Sequence, residues 1–143
     1  MRAKIAFAPL VLAVAFLIGC GGDNFEKGVT VKGKIVRSGQ VLKPSGPQAP
    51  GASKVEVILF PVDPNGVDEQ GILNDMGEFT LMGQGKGMKP GDYKVGVFVR
   101  GASFDSDELG GKFNEQNTPL KISIPADKVG QVHDVGTLDI DKP

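Results

Sequence analysis

This chain has no tryptophan, one tyrosine, one histidine and one cysteine. A single thiol excludes an intramolecular disulfide framework, so stability rests on an apolar core. The same scarcity leaves an ordinary zinc centre without its usual ligands. Charge of one sign is also missing: 16 basic residues face 17 acidic ones, which gives no bulk attraction for nucleic acid. Beyond the N-terminal segment, nothing keeps apolar residues at i, i+3, i+4 and i+7 over three turns, so long amphipathic helices are excluded. What is abundant is turn chemistry. The 21 glycines and 10 prolines are scattered among β-branched runs, a pattern of short strands joined by many turns. A length of 143 residues fits one domain with one core.

The first residues read as a targeting segment. Arg2 and Lys4 form a short positive region, and Ile5 to Ile18 is an uncharged, mostly apolar stretch of 14 residues. That falls short of the ~20 needed to span a bilayer and suits a signal peptide. Pro9 inside it works against a stable helix. The stretch ends in Leu17-Ile18-Gly19-Cys20, followed by the polar run Gly21-Gly22-Asp23-Asn24. This four-residue sequence resembles the lipobox of bacterial lipoproteins. The resemblance implies diacylglyceryl transfer to the Cys20 sulfur, cleavage between Gly19 and Cys20, and acylation of the new amino terminus. Stable anchoring takes more than one fatty chain, at about 0.8 kcal/mol per buried CH₂, and a lipid with two or three chains meets that need. An uncleaved signal anchor or an exported free thiol is the alternative reading of Cys20. Asp does not follow Cys20, so an inner-membrane retention signal is missing and an outer-membrane destination is favoured. The expected division is a signal peptide over 1–19, a lipidated cysteine and flexible tether over 20–28, and a folded domain over 29–143. A chain processed at Cys20 carries 14 basic against 17 acidic residues.

Downstream, Val29, Val31 and Ile35 alternate with Thr30, Lys32 and Lys34, the period of a half-buried strand. Arg37 to Gln40 supplies a turn. Lys43 to Ser53 carries three prolines and two glycines and is expected to be a surface loop. Lys54 to Phe60 reads as a second strand, and "GILNDMGEFTL" as a hairpin with Gly77 in a left-handed turn position. Tyr93 to Val99 is the clearest strand. Arg100 to Pro119 lacks alternation, with at most one helical turn within Leu109 to Gln116. Leu120 to Ile124 and about Val135 to Ile140 complete the set. The pattern predicts an all-β fold: a seven-stranded (six to eight) antiparallel β-sandwich of Greek-key type.

Four segments in order, "VKGKIVRSGQVL", "VEVILFP", "LNDMGEFTL" and "GMKPGDYKVGVFV", resemble the carboxypeptidase regulatory-like and transthyretin-like domains. The likeness is to the small lipoproteins of that kind in planctomycete-type bacteria. The family's Asp-x-x-Gly-x-Phe pattern is met by Asp75, Gly77 and Phe79, its Pro-Gly-x-Tyr by Pro90, Gly91 and Tyr93, and its Thr-Pro-Leu by Thr118, Pro119 and Leu120. The resemblance implies a fold and a location, since none of these residues is a catalytic group. An immunoglobulin domain's Cys-Trp-Cys hallmark cannot exist here. The hydroxyisourate hydrolases of the transthyretin superfamily use several histidines and a C-terminal Tyr-Arg-Gly-Ser, whereas this chain has one histidine and ends in "DIDKP".

Candidate chemistry is sparse. His133 and Asp134 are adjacent, so on a strand they point to opposite faces, and no nucleophile can be named beside them. "DSDE", with Asp105, Asp107 and Glu108, concentrates carboxylates in a loop. It lacks EF-hand spacing and reads as a solvated acidic loop, with calcium the alternative. The "GQGKG" run at Gly83 to Gly87 matches no phosphate-binding motif and is expected to be a flexible loop. Lys86, Lys89 and Lys94 read as mixed surface charge. Phe104 and Phe113 in the long loop and Tyr93 are the aromatics weighed for sugar stacking, and Tyr93 reads as core. The expectation is a non-enzymatic envelope module with no cofactor. It would be held to membrane lipid through Cys20 and act structurally or toward a protein or glycan; the alternative is a small-ligand or carbohydrate carrier.

Overall fold

The computed structural model describes residues 27–45, 54–101 and 106–142. Cys20 with its leader, most of the proline-rich loop, and Phe104 with Asp105 lie outside the described residues. Eight strands follow one another: β1 (Thr30–Arg37), β2 (Gln40–Val41), β3 (Lys54–Pro61), β4 (Glu69–Ile72), β5 (Glu78–Leu81), β6 (Gly91–Arg100), β7 (Lys121–Ile124) and β8 (Val132–Asp139). They form two sheets. In one, β1 is central and pairs with β2, β5 and β8; the other has the order β4-β3-β6-β7.

Alternation decides which faces meet. Val31 and Ile35 of β1, Val57 and Leu59 of β3, and Val95, Val97 and Val99 of β6 are all at most 1% exposed. They share one cluster with Phe79, Leu81, Met88, Tyr93, Ile122 and Ile124. Burying each such side chain contributes about 1.5–3 kcal/mol. Both sheets therefore bury an apolar face in a single core, and the β-branched valines suit the pleated geometry.

The strands are not all antiparallel. β8 runs parallel to β1, with Thr30 opposite Val132 and Val36 opposite Asp139, and an irregularity between Lys32 and Lys34. The direction follows from the route of the chain. β7 finishes opposite the start of β6, with Ile124 paired to Gly91. A short 3₁₀ turn at Ala126–Lys128 then carries the chain across to the start of β1. From there β8 can only leave in the direction β1 takes.

The expected hairpin around Asn74 to Gly77 is also corrected. The turn itself forms: the Asn74 amide donates to the Glu78 carbonyl at 2.9 Å, and Asn74 Oδ1 accepts from the amides of Met76 and Glu78. Gly77 has φ 77°, the left-handed conformation expected of it. Yet β4 pairs with β3 and β5 with β1, so the turn passes the chain from one sheet to the other. Leu73, whose amide donates to the Val55 carbonyl, is packed on the core and fixes that departure. The segment after Ser106 forms successive turns with no helix, and buried Leu109 and Phe113 hold it against the core.

Strand direction defines two ends. The proximal end carries Lys27, Gly28 and the start of β1; the distal end carries the Ser38-Gly39 turn, the Asn74–Gly77 turn and the finish of β8.

Candidate functional site

At the proximal end three segments distant in sequence enclose a cleft of about 680 Å³. One wall comes from the β3–β4 connection with Asp63 and Val67, and from Glu69 at the start of β4. The other comes from the β5–β6 connection with Lys86 to Lys89, and the incoming chain at Lys27 and Gly28 completes it. Tyr93 and Met88 also line the cleft, and both are nearly fully buried.

Close backbone packing fixes the second wall. The Gly28 amide donates to the Lys86 carbonyl at 2.6 Å, and Val29 and Met88 exchange amide–carbonyl bonds of 2.8 and 2.7 Å. A Cβ on Gly28 would lie 2.2 Å from the Gly87 carbonyl carbon, and Gly87 itself has φ 87°. Two glycines are therefore required where main chain touches main chain. The "GQGKG" run, expected to be a flexible loop, contributes at Gly87 one half of this clasp.

The cleft combines apolar lining with charged groups of both signs. The Tyr93 hydroxyl donates to the Lys89 carbonyl at 2.8 Å. Burial, and then the carboxylates of Glu69 and Asp63, push the Tyr93 hydroxyl's pKa above the ordinary tyrosine value. Burial likewise raises the Glu69 carboxyl. Asp63 Oδ1 accepts from the Asn65 amide at 2.9 Å. Sequence reasoning missed Asp63 and Glu69, because neither belongs to a motif and only folding brings them to Tyr93.

The residues singled out from sequence are dispersed. Lys86 and Lys89 meet at the cleft, but Lys94 donates to the Glu115 carbonyl at 3.1 Å. His133 sits opposite Val31, while Asp134 lies opposite Lys32 and pairs with it at 3.2 Å. The Asp134 carboxyl is held below its usual range, chiefly by the Gly136 amide and then by Lys32. Asp107 is saturated by backbone: Oδ1 accepts from Val99 and Leu109 at 3.0 and 3.1 Å, and Oδ2 from Gly111 at 2.9 Å. Glu108 Oε2 accepts from the Ser45 amide at 2.8 Å. Among the described residues no group of three or more His, Cys, Asp or Glu is placed to hold a metal ion. Phe113 and Tyr93 are buried, so neither offers a face for stacking.

A second feature absent from the sequence reading lies on the outer face of the β3–β6 sheet. Glu56, only 4% exposed, bonds Lys54 Nζ at 2.6 Å and Arg100 Nε at 3.0 Å. The Arg100 guanidinium also lies over the Phe98 ring, 5.0 Å from its centroid. Burial alone would raise the Glu56 carboxyl, but the two cations outweigh it and the net direction is downward.

Compared with known proteins, the chain matches no family model, no curated protein and no solved structure.

Proposed function

We propose that the protein is an exported lipoprotein of the bacterial cell envelope, anchored through Cys20 to a membrane, with the outer membrane favoured. Residues 29–143 are its non-enzymatic β-sandwich module, of Greek-key connectivity and of the carboxypeptidase regulatory-like, transthyretin-like kind. Its role is structural, or to meet a protein or glycan of the envelope. The observation that carries this reading is Leu17-Ile18-Gly19-Cys20, closing an uncharged stretch and leading through a short polar run into a self-contained β core. Two sheets sharing one apolar core support the sandwich. Replacement of Cys20 by Ser is expected to release the protein from the membrane fraction or to leave its leader uncleaved. A Cys20→Ser protein that stayed membrane-bound and was processed normally would falsify the reading.

The proximal cleft favours one second reading, a carrier for a small polar ligand. With Tyr93 only 5% exposed, the described residues of the cleft offer no aromatic platform for a sugar ring. A small ligand would instead be met by carboxylates and lysines. Calorimetric titration against amino acids, short peptides and a glycan panel tests it, and absence of heat across all three removes it.

A further inference from the structure

Apolar side chains that remain exposed are unevenly placed. Seven large ones are exposed among the described residues: Val62, Val67, Ile72, Met76, Met82, Val129 and Val132. Five of these surround the proximal end. Val62 follows the last residue of β3 and donates its amide to the Asp92 carbonyl at the start of β6. Val67 lines the cleft, and Met82 follows Leu81, which pairs with Val31 at the start of β1. Val129 precedes Gly130, whose amide donates to the Gly28 carbonyl, and Val132 pairs with Thr30. Only Ile72 and Met76 belong to the distal end. Scattered single apolar residues are ordinary on a surface, whereas a cluster on one end indicates a contact.

The same end receives the chain. Six residues lie between Cys20 and Lys27, and the seven steps from one to the other, at ~3.5 Å each, reach about 25 Å when fully extended. An acyl chain on Cys20 therefore keeps the proximal end within one small-domain diameter of the head groups. At this end the basic side chains Lys27, Lys86, Lys89 and Lys128 are balanced in number by the acids Asp63, Asp68, Glu69, Asp92 and Asp127. Among the described residues this surface thus has no excess positive charge with which to select anionic lipid.

We propose that the proximal end of the domain lies on the surface of a lipid bilayer, with Val62, Val67, Met82 and Val129 touching the interfacial layer. The contact is apolar and independent of lipid charge. It rests on the lipoprotein reading. The cleft then opens toward the head groups, and the distal end faces away from the membrane.

The test uses full-length protein, processed in cells, purified in detergent and returned to phosphatidylcholine vesicles that contain a nitroxide-labelled lipid quencher. Val67→Cys, Met82→Cys and, at the distal end, Met76→Cys are labelled separately with a small fluorophore. All three positions are well exposed, so the labels leave the core intact. Labels at 67 and 82 are expected to lose at least half their emission while the label at 76 keeps nearly all of it. Replacing a third of the lipid by phosphatidylglycerol is expected to change nothing. Vesicles that float with bound protein but quench the three labels equally overturn the orientation and leave the anchor standing. Quenching confined to vesicles with phosphatidylglycerol overturns the neutral-surface assignment. Protein that fails to float, with Cys20 itself accepting fluorophore, overturns both readings together.

Discussion

The two ends of the domain are closed by different chemistry. At the proximal end main chain packs on main chain: Gly28 against Gly87, with Val29 and Met88 bridged by paired amide–carbonyl bonds. At the distal end carboxylates gather backbone amides. Asp139 accepts from Ser38 and Gly39, Asp107 from Val99, Leu109 and Gly111, and Glu108 from Ser45. Glu56 binds two cations in the same half of its sheet. The first closure leaves no room for an added carbon where two main chains touch; the second depends on carboxylates and is sensitive to added protons. Shape fixes the first, and charge fixes the second.

The sharpest way to break the proximal closure is Gly87→Ala. The new Cβ would strain a positive φ and lie about 2.3 Å from the Gly28 backbone, which is expected to cost about 3 kcal/mol, read from the urea midpoint. Gly85→Ala provides the contrast. It has φ 85° but nothing within 4 Å, so only the conformational cost of about 1 kcal/mol should appear. Equal losses at the two positions would show that the close approach carries no energy of its own.

At the other end, Glu56→Ala leaves Lys54 and Arg100 without their shared acceptor and should cost about 2 kcal/mol. Asp107→Ala strands three amides that partly regain water, and about 1 kcal/mol is expected. Unchanged melting curves for both variants would contradict a charge-based closure.

Acid sharpens the comparison further. The Glu56 and Asp139 carboxyls are lowered in the fold, the cations prevailing over burial for Glu56 and the amides of Asp141, Ser38 and Gly39 over burial for Asp139. Their stabilisation is complete above the unfolded carboxylate pKa and disappears as pH falls through the depressed folded values. Glu69, raised by burial, has the opposite sign: its penalty disappears as pH falls through the raised folded value toward the unfolded one. Hydrogen exchange on acidification should therefore expose the Ser38 and Gly39 amides before those of Val29 and Met88. Simultaneous loss at both ends would remove the distinction. The smallest effect belongs to Glu69→Gln, which should stabilise the neutral-pH protein by roughly 0.5 kcal/mol.

Much of the fold was legible because alternation is a local signal. Val29 to Ile35, Lys54 to Phe60 and Tyr93 to Val99 each state which face is buried within a few residues. Direction and partner were less legible. "GILNDMGEFTL" has the turn chemistry of a hairpin, and nothing in its eleven residues tells that Ile72 and Phe79 serve different sheets. Likewise, the parallel course of β8 depends on where β7 ends, a non-local fact. For the candidate site the gap is wider. Glu56 alternates with Val55 and Val57 as a solvent-facing acid would, and only Phe98, Arg100 and Lys54 on neighbouring positions enclose it. Asp107 stands in an acidic run that resembles a cation loop, yet its oxygens are occupied by amides of its own segment and of β6. The cleft joins residues 27, 69 and 93, which share no motif.

The parallel pairing of β8 with β1 has a mechanical consequence. Because the two strands run the same way, the chain enters at one end of the pair and leaves at the other, Ile140 still bonded to Val36. A load between an anchor at Cys20 and the C-terminal residues would pull along both strands and across their hydrogen bonds. The ladder then resists in shear, with many bonds stressed together, whereas an antiparallel last strand would be peeled open bond by bond. Stretching the protein between its two termini should give one high rupture peak, and a low sawtooth would refute it. A β module pulled between its two ends would draw its toughness from the orientation of its final strand.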